Sequence, residues 1–132
     1  MLVRRRDHGF TLIELMVVMA LIVTLAGIAV AIYGNSVTRS KEAVLLTDLF
    51  RMRDAIDQYY ADKNKYPADL PTLVSEKYMR AVPMDPITNS TETWQTVMSD
   101  PQPGNPSAEI GVFDVKSGSE ATAIDGSRYA DW

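Results

Sequence analysis

The sequence contains no cysteine, and this absence removes several classes of site. Disulfides, zinc–thiolate sites and thiol nucleophiles all require a cysteine sulfur. Histidine is almost as scarce, because the one histidine in 132 residues is His8, close to the N-terminus. Nearly the whole chain therefore lacks the commonest general base and has no means of forming a Ser-His-Asp arrangement. We predict that the protein is not an enzyme.

Clustered positive charge is missing from most of the chain. The formal net charge is -4, and the one basic cluster is formed by Arg4, Arg5 and Arg6. A nucleic-acid-binding surface needs grouped Lys and Arg side chains to contact phosphates. The sequence therefore predicts no nucleic-acid partner.

A long apolar segment is present instead. The 24 residues from Phe10 to Tyr33 contain a single charged residue, Glu14. One helix of this length crosses the roughly 30 Å of hydrocarbon in a bilayer. The arginine cluster just before the segment favours a cytoplasmic N-terminus. The sequence thus predicts a single membrane span in contact with lipid, with the rest of the chain on the opposite side.

The residues that open this segment form a recognisable motif. The order Gly9-Phe10-Thr11-Leu12-Ile13-Glu14 resembles the type III signal of type IV pilins and of type II secretion pseudopilins. The resemblance implies that a prepilin peptidase cleaves between Gly9 and Phe10 and methylates the new amine of Phe10. Loss of residues 1–9 would remove His8 and change the formal charge from -4 to -6.

Glu14 is the unusual residue of the span, because a carboxylate at membrane depth costs roughly 2.5 to 3.5 kcal/mol on insertion scales. One interpretation is that its side chain reaches the membrane interface. The resemblance implies another: Glu14 neutralises the positive N-terminus of Phe10, in its own or a neighbouring subunit, during assembly. The second interpretation is favoured, since an ionisable residue inside a span is a functional candidate by default.

Helical periodicity continues beyond the span. Apolar residues recur at spacings of 4, 3, 4 and 3, namely Leu45, Leu49, Met52, Ile56 and Tyr59. Charged neighbours on other faces suggest the local pairs Arg53–Asp57 and Asp48–Arg51. We predict one helix from Phe10 to about Ala61, roughly 78 Å long. The first half of this helix must then project from the globular domain and be covered by lipid or by other copies of the chain.

Shorter elements are predicted in the remainder of the chain. Leu70–Arg80 has helical spacing, and Trp94–Met98 and Glu109–Ser117 have strand character. The proline-rich stretch Asp100–Pro106 predicts a hairpin-like loop between the strands. The fold class is therefore α+β and pilin-like, with a long N-terminal α-helix, transmembrane in its first half, packed on a small antiparallel β-sheet.

The same observations divide the chain into three parts. Residues 1–9 are the cytoplasmic leader, residues 10–34 the transmembrane and polymerisation half of the helix, and residues 35–132 a globular domain. By the resemblance, the span lies in the bacterial inner membrane and the globular domain in the periplasm.

Two further motifs resemble major pseudopilins, namely Tyr66-Pro67 at the helix end and the Pro83–Pro86 turn. The lack of cysteine also favours a pseudopilin, since many type IV pilins stabilise their C-terminal region with a disulfide bond. The chain thus resembles the G-type major pseudopilin of type II secretion. This implies a homo-oligomeric pseudopilus that pushes substrates through the outer membrane, with prepilin peptidase, other pseudopilins and an inner-membrane assembly platform as partners.

Two alternatives stay open. The first is a type IV pilin of a surface fibre that serves adhesion, motility, DNA uptake or electron transfer, because it uses the same signal and helix. The second belongs to a different class: a binding module, anchored by a single span, that never polymerises.

The C-terminal region carries one candidate metal site. Major pseudopilins hold calcium in a corresponding loop, and the resemblance would assign Asp114, Ser117 and Asp125 as oxygen ligands. The paired acidic residues usual near the end of that loop are absent. The favoured alternative is a turn at residues 124–127 that brings Tyr129 and Trp132 back onto the sheet.

Overall fold

The computed structural model describes residues 9–101 and 109–132, and its first element is helix α1, Leu12–Lys63, of 52 residues. Thr11 begins the helix, since its Oγ1 accepts a hydrogen bond from the N–H of Glu14 at 3.3 Å. Asn64 ends it in a left-handed conformation with φ 54°. The predicted leader, apart from Gly9, and most of the predicted 100–106 loop lie outside the described residues.

The chain divides into two compact units. The N-terminal unit ends at Val37, and the C-terminal unit is Thr38–Trp132. Between Leu12 and Tyr33 the large apolar side chains are all exposed, from 46% at Val18 to 78% at Leu12. The functional division predicted at residues 34 and 35 stays a prediction.

The C-terminal unit has a hydrophobic core built on α1, and the predicted apolar stripe is confirmed. The five stripe residues, which begin at Leu45 and end at Tyr59, are at most 4% exposed. They share one buried cluster with residues from the rest of the unit, namely Ala55, Leu70, Leu73, Trp94, Val112, Val115, Ala123 and Tyr129. Full burial of a large apolar side chain contributes roughly 1.5–3 kcal/mol, so this cluster is the main source of stability.

Helix α2 is shorter than predicted. It comprises Leu70–Ser75, whereas the spacing of apolar residues predicted a helix up to Arg80. The chain turns at Lys77, which has φ 67°. The N–H of Tyr78 then donates to the carbonyl of Leu73 at 2.9 Å, and the N–H of Lys77 bonds to the last helical turn. These two bonds form a Schellman motif, which stops the helix.

Lys77→Gly should stabilise the C-terminal unit, because a side chain at φ 67° is strained and glycine is not. We expect the free energy of unfolding to rise by about 0.5–1 kcal/mol, partly offset by the greater freedom of glycine in the unfolded chain. Denaturation of the full chain in detergent micelles, followed by tryptophan fluorescence, measures the change. Lys77→Ala is the control, since it removes the same charge but keeps the Cβ. Equal stabilities of the two variants would contradict the explanation.

The sheet contains two antiparallel strands. Strand β1 is Gln95–Met98 and strand β2 is Val112–Lys116. They pair from Gln95↔Lys116 to Met98↔Val112, with a register shift between Val97 and Met98. Strand β1 agrees with the prediction to within one residue.

Strand β2 begins later than the predicted strand 109–117, because the chain just before it packs on the segment that follows α1. The N–H of Val112 donates to the carbonyl of Pro67 at 2.7 Å. A Cβ at Gly111 would lie 2.6 Å from the carbonyl oxygen of Tyr66, so the two backbones touch. The α+β prediction is confirmed: a long apolar helix packs on a small antiparallel sheet.

Candidate assembly site

The predicted cleavage site precedes α1 and is open to the surroundings. Gly9 and Phe10 are both exposed, Phe10 to 86%. A Cβ added at Gly9 would meet no atom within 4 Å. The packing of the described chain therefore does not require glycine at this position, and the cleavage site stays a prediction.

Glu14 lies in the first turn of α1. The first four N–H groups of a helix have no partner within it, and their partial positive charge favours a carboxylate there. Thr11 caps one of these groups, and the spacing Thr11-x-x-Glu14 is that of a capping box. Our sequence reasoning missed this pattern, although the motif itself contains it. Glu14 therefore suits the helix of its own chain as well as the predicted pairing with the Phe10 amine.

The exposed apolar surface of α1 is larger than a soluble monomer normally shows. By length and composition, α1 is the one helix in the described part of the chain that could cross a membrane. An N-terminal apolar helix of this kind fits a single-pass membrane anchor.

Arg53 has different partners from the one predicted. Its Nε lies 2.7 Å from Oδ1 of Asp114, and its Nη2 donates to the carbonyls of Val115 at 3.0 Å and Trp132 at 2.8 Å. The predicted local pair with Asp57 was wrong. A planar guanidinium that binds one carboxylate and two carbonyls gains more than a local helix pair, which contributes a few tenths of a kcal/mol. Arg53 thereby joins α1, β2 and the C-terminal segment.

The three predicted calcium ligands lie in three separate hydrogen-bonded groups. Asp114 is paired with the guanidinium just described. The hydroxyl of buried Ser117 donates to Oδ2 of buried Asp85 at 2.6 Å, and Oδ1 of Asp125 accepts bonds from Ser127. Within residues 9–101 and 109–132, no group of three or more Asp, Glu, His or Cys is placed to hold a metal ion. This arrangement does not fit a calcium ion held by the three residues together, and calcium binding stays a prediction.

The alternative prediction, a turn that brings Tyr129 and Trp132 back onto the rest of the unit, is confirmed. Tyr129 is 3% exposed, and its ring packs edge-on against Trp132 with centroids 5.2 Å apart. Glu42 of α1 binds this segment through Oε1, which accepts from the Tyr129 hydroxyl at 2.9 Å and from the N–H of Ile124 at 2.8 Å. Burial and the bond to Glu42 raise the pKa of Tyr129 to about 12.

Asp48 is a buried acid on the inner side of α1, 8% exposed. Burial raises the pKa of Asp48 above its usual value, Arg51 partly opposes the shift, and Asp85 adds to it. The folded state therefore binds the proton of the Asp48 carboxyl group more tightly than the unfolded state does. The resulting contribution to stability is fully present below the pKa that Asp48 has in the unfolded chain. It is lost as the pH rises through the raised pKa of Asp48 in the folded chain.

Asp48→Asn should therefore stabilise the C-terminal unit at pH 7, because the buried charge is removed. The advantage over the original chain should shrink as the pH falls through the raised pKa of Asp48, because the original carboxylate then takes up a proton. Denaturation of the full chain in micelles between pH 4 and 7 measures this. Asp54→Asn, which removes an exposed carboxylate from the same helix, serves as the matched control. An Asp48→Asn chain less stable than the original at pH 7 would refute the prediction.

Comparison with known proteins points to one family. The family model described as "Prokaryotic N-terminal methylation motif" matches residues 4–30. The type II secretion system core protein G of Klebsiella pneumoniae is 32% identical over 99 residues, which cover 62% of this chain and 70% of that protein. The corresponding protein of Aeromonas hydrophila is 28% identical over 102 residues, covering 65% and 71%.

Pilins are also similar. The fimbrial protein EcpC of Eikenella corrodens is 36% identical over 86 residues, which cover 61% of this chain and 56% of EcpC. The chain thus spans little more than half the length of this relative. No solved structure matches the chain. The methylation motif, the exposed apolar helix on a small sheet, and the extent of the match to core protein G show that the chain belongs to the pilin-like superfamily of type IV pilins and type II secretion pseudopilins.

Proposed function

We propose that this protein is the major structural subunit of a type II secretion pseudopilus and has no enzymatic role. The observation that carries the proposal is the match to core protein G, which extends over 70% of that protein and therefore far beyond the shared N-terminal motif. The exposed apolar segment of α1 supports it, since such a surface needs lipid or other copies around it.

In this proposal the chain is first a precursor in the inner membrane. Arg4, Arg5 and Arg6 keep its N-terminus in the cytoplasm, and the C-terminal unit is periplasmic. Prepilin peptidase removes residues 1–9 and methylates Phe10. The platform then moves the subunit into a filament, where its apolar helix exchanges lipid for the helices of other copies and other pseudopilins. Because lipid and helices are similarly apolar, the exchange is driven by packing and by polar pairing.

Gly9→Leu should block processing and accumulate the precursor. The bond must be extended in the peptidase active site, and a bulky side chain would obstruct it, whereas the chain itself has room for a Cβ. Intact mass of the membrane-extracted protein distinguishes precursor from mature chain. Gly27→Leu is the control, because Gly27 also has open space around it but lies away from the scissile bond. A normal mature mass for Gly9→Leu would overturn the assigned cleavage site.

A surface pilus is the second candidate. It is favoured by the similarity to EcpC and to the type IV major pilin protein PilE1 of Neisseria gonorrhoeae, which is 33% identical over 89 residues. Deletion of the gene tests both candidates. Loss of protein secretion with surface fibres intact supports the pseudopilus, and loss of fibres with secretion intact supports the pilus.

The third candidate, an anchored binding module that does not polymerise, is tested by crosslinking. The chain has no cysteine, so cysteine pairs introduced along Leu12–Leu25 report contacts without background. A filament gives a ladder of crosslinked multimers, and the module gives only monomer.

A further inference from the structure

A cavity in the C-terminal unit lies between α1 and the segment that follows α2. Its volume is about 350 Å³, within the range of roughly 300–1,000 Å³ that is usual for small-ligand sites. Asp48 and Arg51 line it from α1, and Arg80 lines it from the segment after α2. Apolar groups form much of its wall, namely Ala55, Met79, Ala81 and Pro83. We call this space the Asp48 cavity.

Asp48 is the buried polar group of the cavity. The residue is 8% exposed, and its carboxylate forms no hydrogen bond or ion pair with any residue that the structure describes. The ion pair with Arg51 that the sequence predicted is therefore absent. No fully enclosed nitrogen or oxygen of a described side chain lacks a partner, so the oxygens of Asp48 must open into the cavity. A buried carboxylate without donors is costly, and a ligand that supplies donors removes that cost.

The hydroxyl groups near Asp48 donate to other acceptors. The hydroxyl of Thr47 donates to the carbonyl of Ala43 at 2.9 Å. The hydroxyl of Tyr78, which also lines the cavity, donates to Oδ2 of Asp62 at 2.8 Å. The described part of the chain thus leaves the Asp48 carboxylate open to a donor from another molecule.

The cavity is negative at its buried end and positive at its mouth. Burial raises the pKa of Asp48, Arg51 lowers it, and the fully buried Asp85 raises it, so the two carboxylates lie near each other. Arg51 and Arg80 are exposed, and neither forms an ion pair in the part of the chain that the structure describes. Asp54 also lines the cavity, but it is exposed and already accepts a side-chain hydrogen bond.

We propose that the Asp48 cavity binds a small zwitterion, whose ammonium or guanidinium group donates to Asp48 and whose carboxylate pairs with Arg51 or Arg80. Hydrogen bonds between ionised groups are about twice as strong as neutral ones, and a guanidinium matches a carboxylate in shape. A bare cation would meet two guanidinium groups at the mouth, and a bare anion would meet Asp48 and Asp85 inside. Amino acids belong to the class that fits. The site goes beyond the proposed filament function and does not depend on it.

Three matched probes test the proposal on the isotope-labelled full chain in uncharged detergent micelles near neutral pH. They are γ-aminobutyrate, butylamine and butyrate, which share a carbon chain and carry both charges, the positive charge and the negative charge respectively. Chemical shifts of the backbone amides of Met79 and Ala81 follow binding. We expect γ-aminobutyrate to bind with a Kd on the order of 1 mM, butylamine at least about fivefold more weakly, and butyrate not measurably. Equal affinities for the three probes, or no shifts with γ-aminobutyrate, would overturn the proposal.

Variants of the lining test which groups bind the probe. Asp48→Asn removes the charge but keeps the shape, and it should weaken γ-aminobutyrate binding at least about tenfold. Because this variant is expected to be more stable than the original chain, misfolding does not account for the loss. Arg51→Gln and Arg80→Gln together should reduce the affinity to that of butylamine. Asp57→Asn is the matched control, since it removes an exposed carboxylate of α1 that does not line the cavity. Unchanged affinity in Asp48→Asn would refute the site.

The same chemistry has a second source, a basic and an acidic side chain that lie together on another copy of the chain. If that is the natural source, Asp48→Asn lowers the pelleted filament fraction several-fold although the subunit itself is more stable. If the source is a free zwitterion, the filament fraction stays at its original level. Either result supports the site when the purified chain binds γ-aminobutyrate. Absence of that binding refutes the site whether or not filaments form, so its failure is distinct from failure of the proposed function.

Discussion

Glu14→Ala is expected to abolish filament assembly while leaving membrane insertion intact. The change keeps the span long and apolar, so insertion should proceed. In the proposed filament, the methylated Phe10 amine would lose its counter-charge in an apolar surrounding, and removal of one partner of a buried ion pair costs roughly 3–5 kcal/mol. Loss of the carboxylate from the first turn of α1 adds roughly 0.3–1 kcal/mol. Pelleted filaments and membrane-extracted subunit, measured on the same cells, separate the two steps.

Thr11→Val distinguishes the pairing of Glu14 with the Phe10 amine from the capping of α1. It removes the hydroxyl that caps α1 but keeps the Glu14 carboxylate, so the helix should fray slightly and filaments should still form. If Thr11→Val and Glu14→Ala lose assembly equally, capping accounts for the effect. Filaments at the original level from Glu14→Ala would show that the pairing role is wrong.

Arg53→Met should destabilise the C-terminal unit by about 2–3 kcal/mol, because the carbonyls of Val115 and Trp132 lose a charged donor. The ion pair with Asp114 contributes less, since the two side chains are 37% and 29% exposed and solvent screens them. Denaturation of the full chain in micelles, followed by tryptophan fluorescence, measures the loss. Lys41→Met removes an exposed cation from the same helix and should cost little.

A calcium chelator should leave the melting midpoint of the original chain unchanged, since a guanidinium already neutralises Asp114. A bound ion would behave differently. At a hundredfold excess over its Kd it would add roughly 2.7 kcal/mol, which shifts the midpoint of a domain this small by about 10 °C or more. A chelator-sensitive transition that Asp125→Ala abolishes would establish the calcium site and refute our expectation.

The features that the sequence predicted well are those set by periodicity. The stripe from Leu45 to Tyr59 could be predicted because buried residues on a helix recur every three or four positions, whichever element packs against them. The apolar helix that fits a membrane anchor was predicted because its length and composition can be read directly from the sequence. The motif Gly9–Glu14 was recognised from the sequence as a whole, although the capping of α1 by Thr11 was overlooked.

The features that were mispredicted depend on contacts between distant parts of the chain or on backbone conformation. The sequence predicted that Arg53 pairs within its helix, yet its partner Asp114 is 61 residues away. Helix α2 was extended too far because Lys77, unlike glycine, gives no sign of a left-handed residue. The contact between Tyr66 and Phe113 was not anticipated because it joins the segment that follows α1 to strand β2.

The bonds that Glu42 and Arg53 make to the last residues also determine when the C-terminal unit is able to fold. Glu42 binds Ile124 and Tyr129, 82 and 87 residues later, and Arg53 binds Trp132, 79 residues later. Contacts of such long range require a large loop to close, which makes them late events in folding. In the proposed topology, a chain held in the membrane by its N-terminal helix would export these residues after the rest of the unit. The unit would stay incomplete until then, and periplasmic proteases would meet it with the α1 stripe still uncovered.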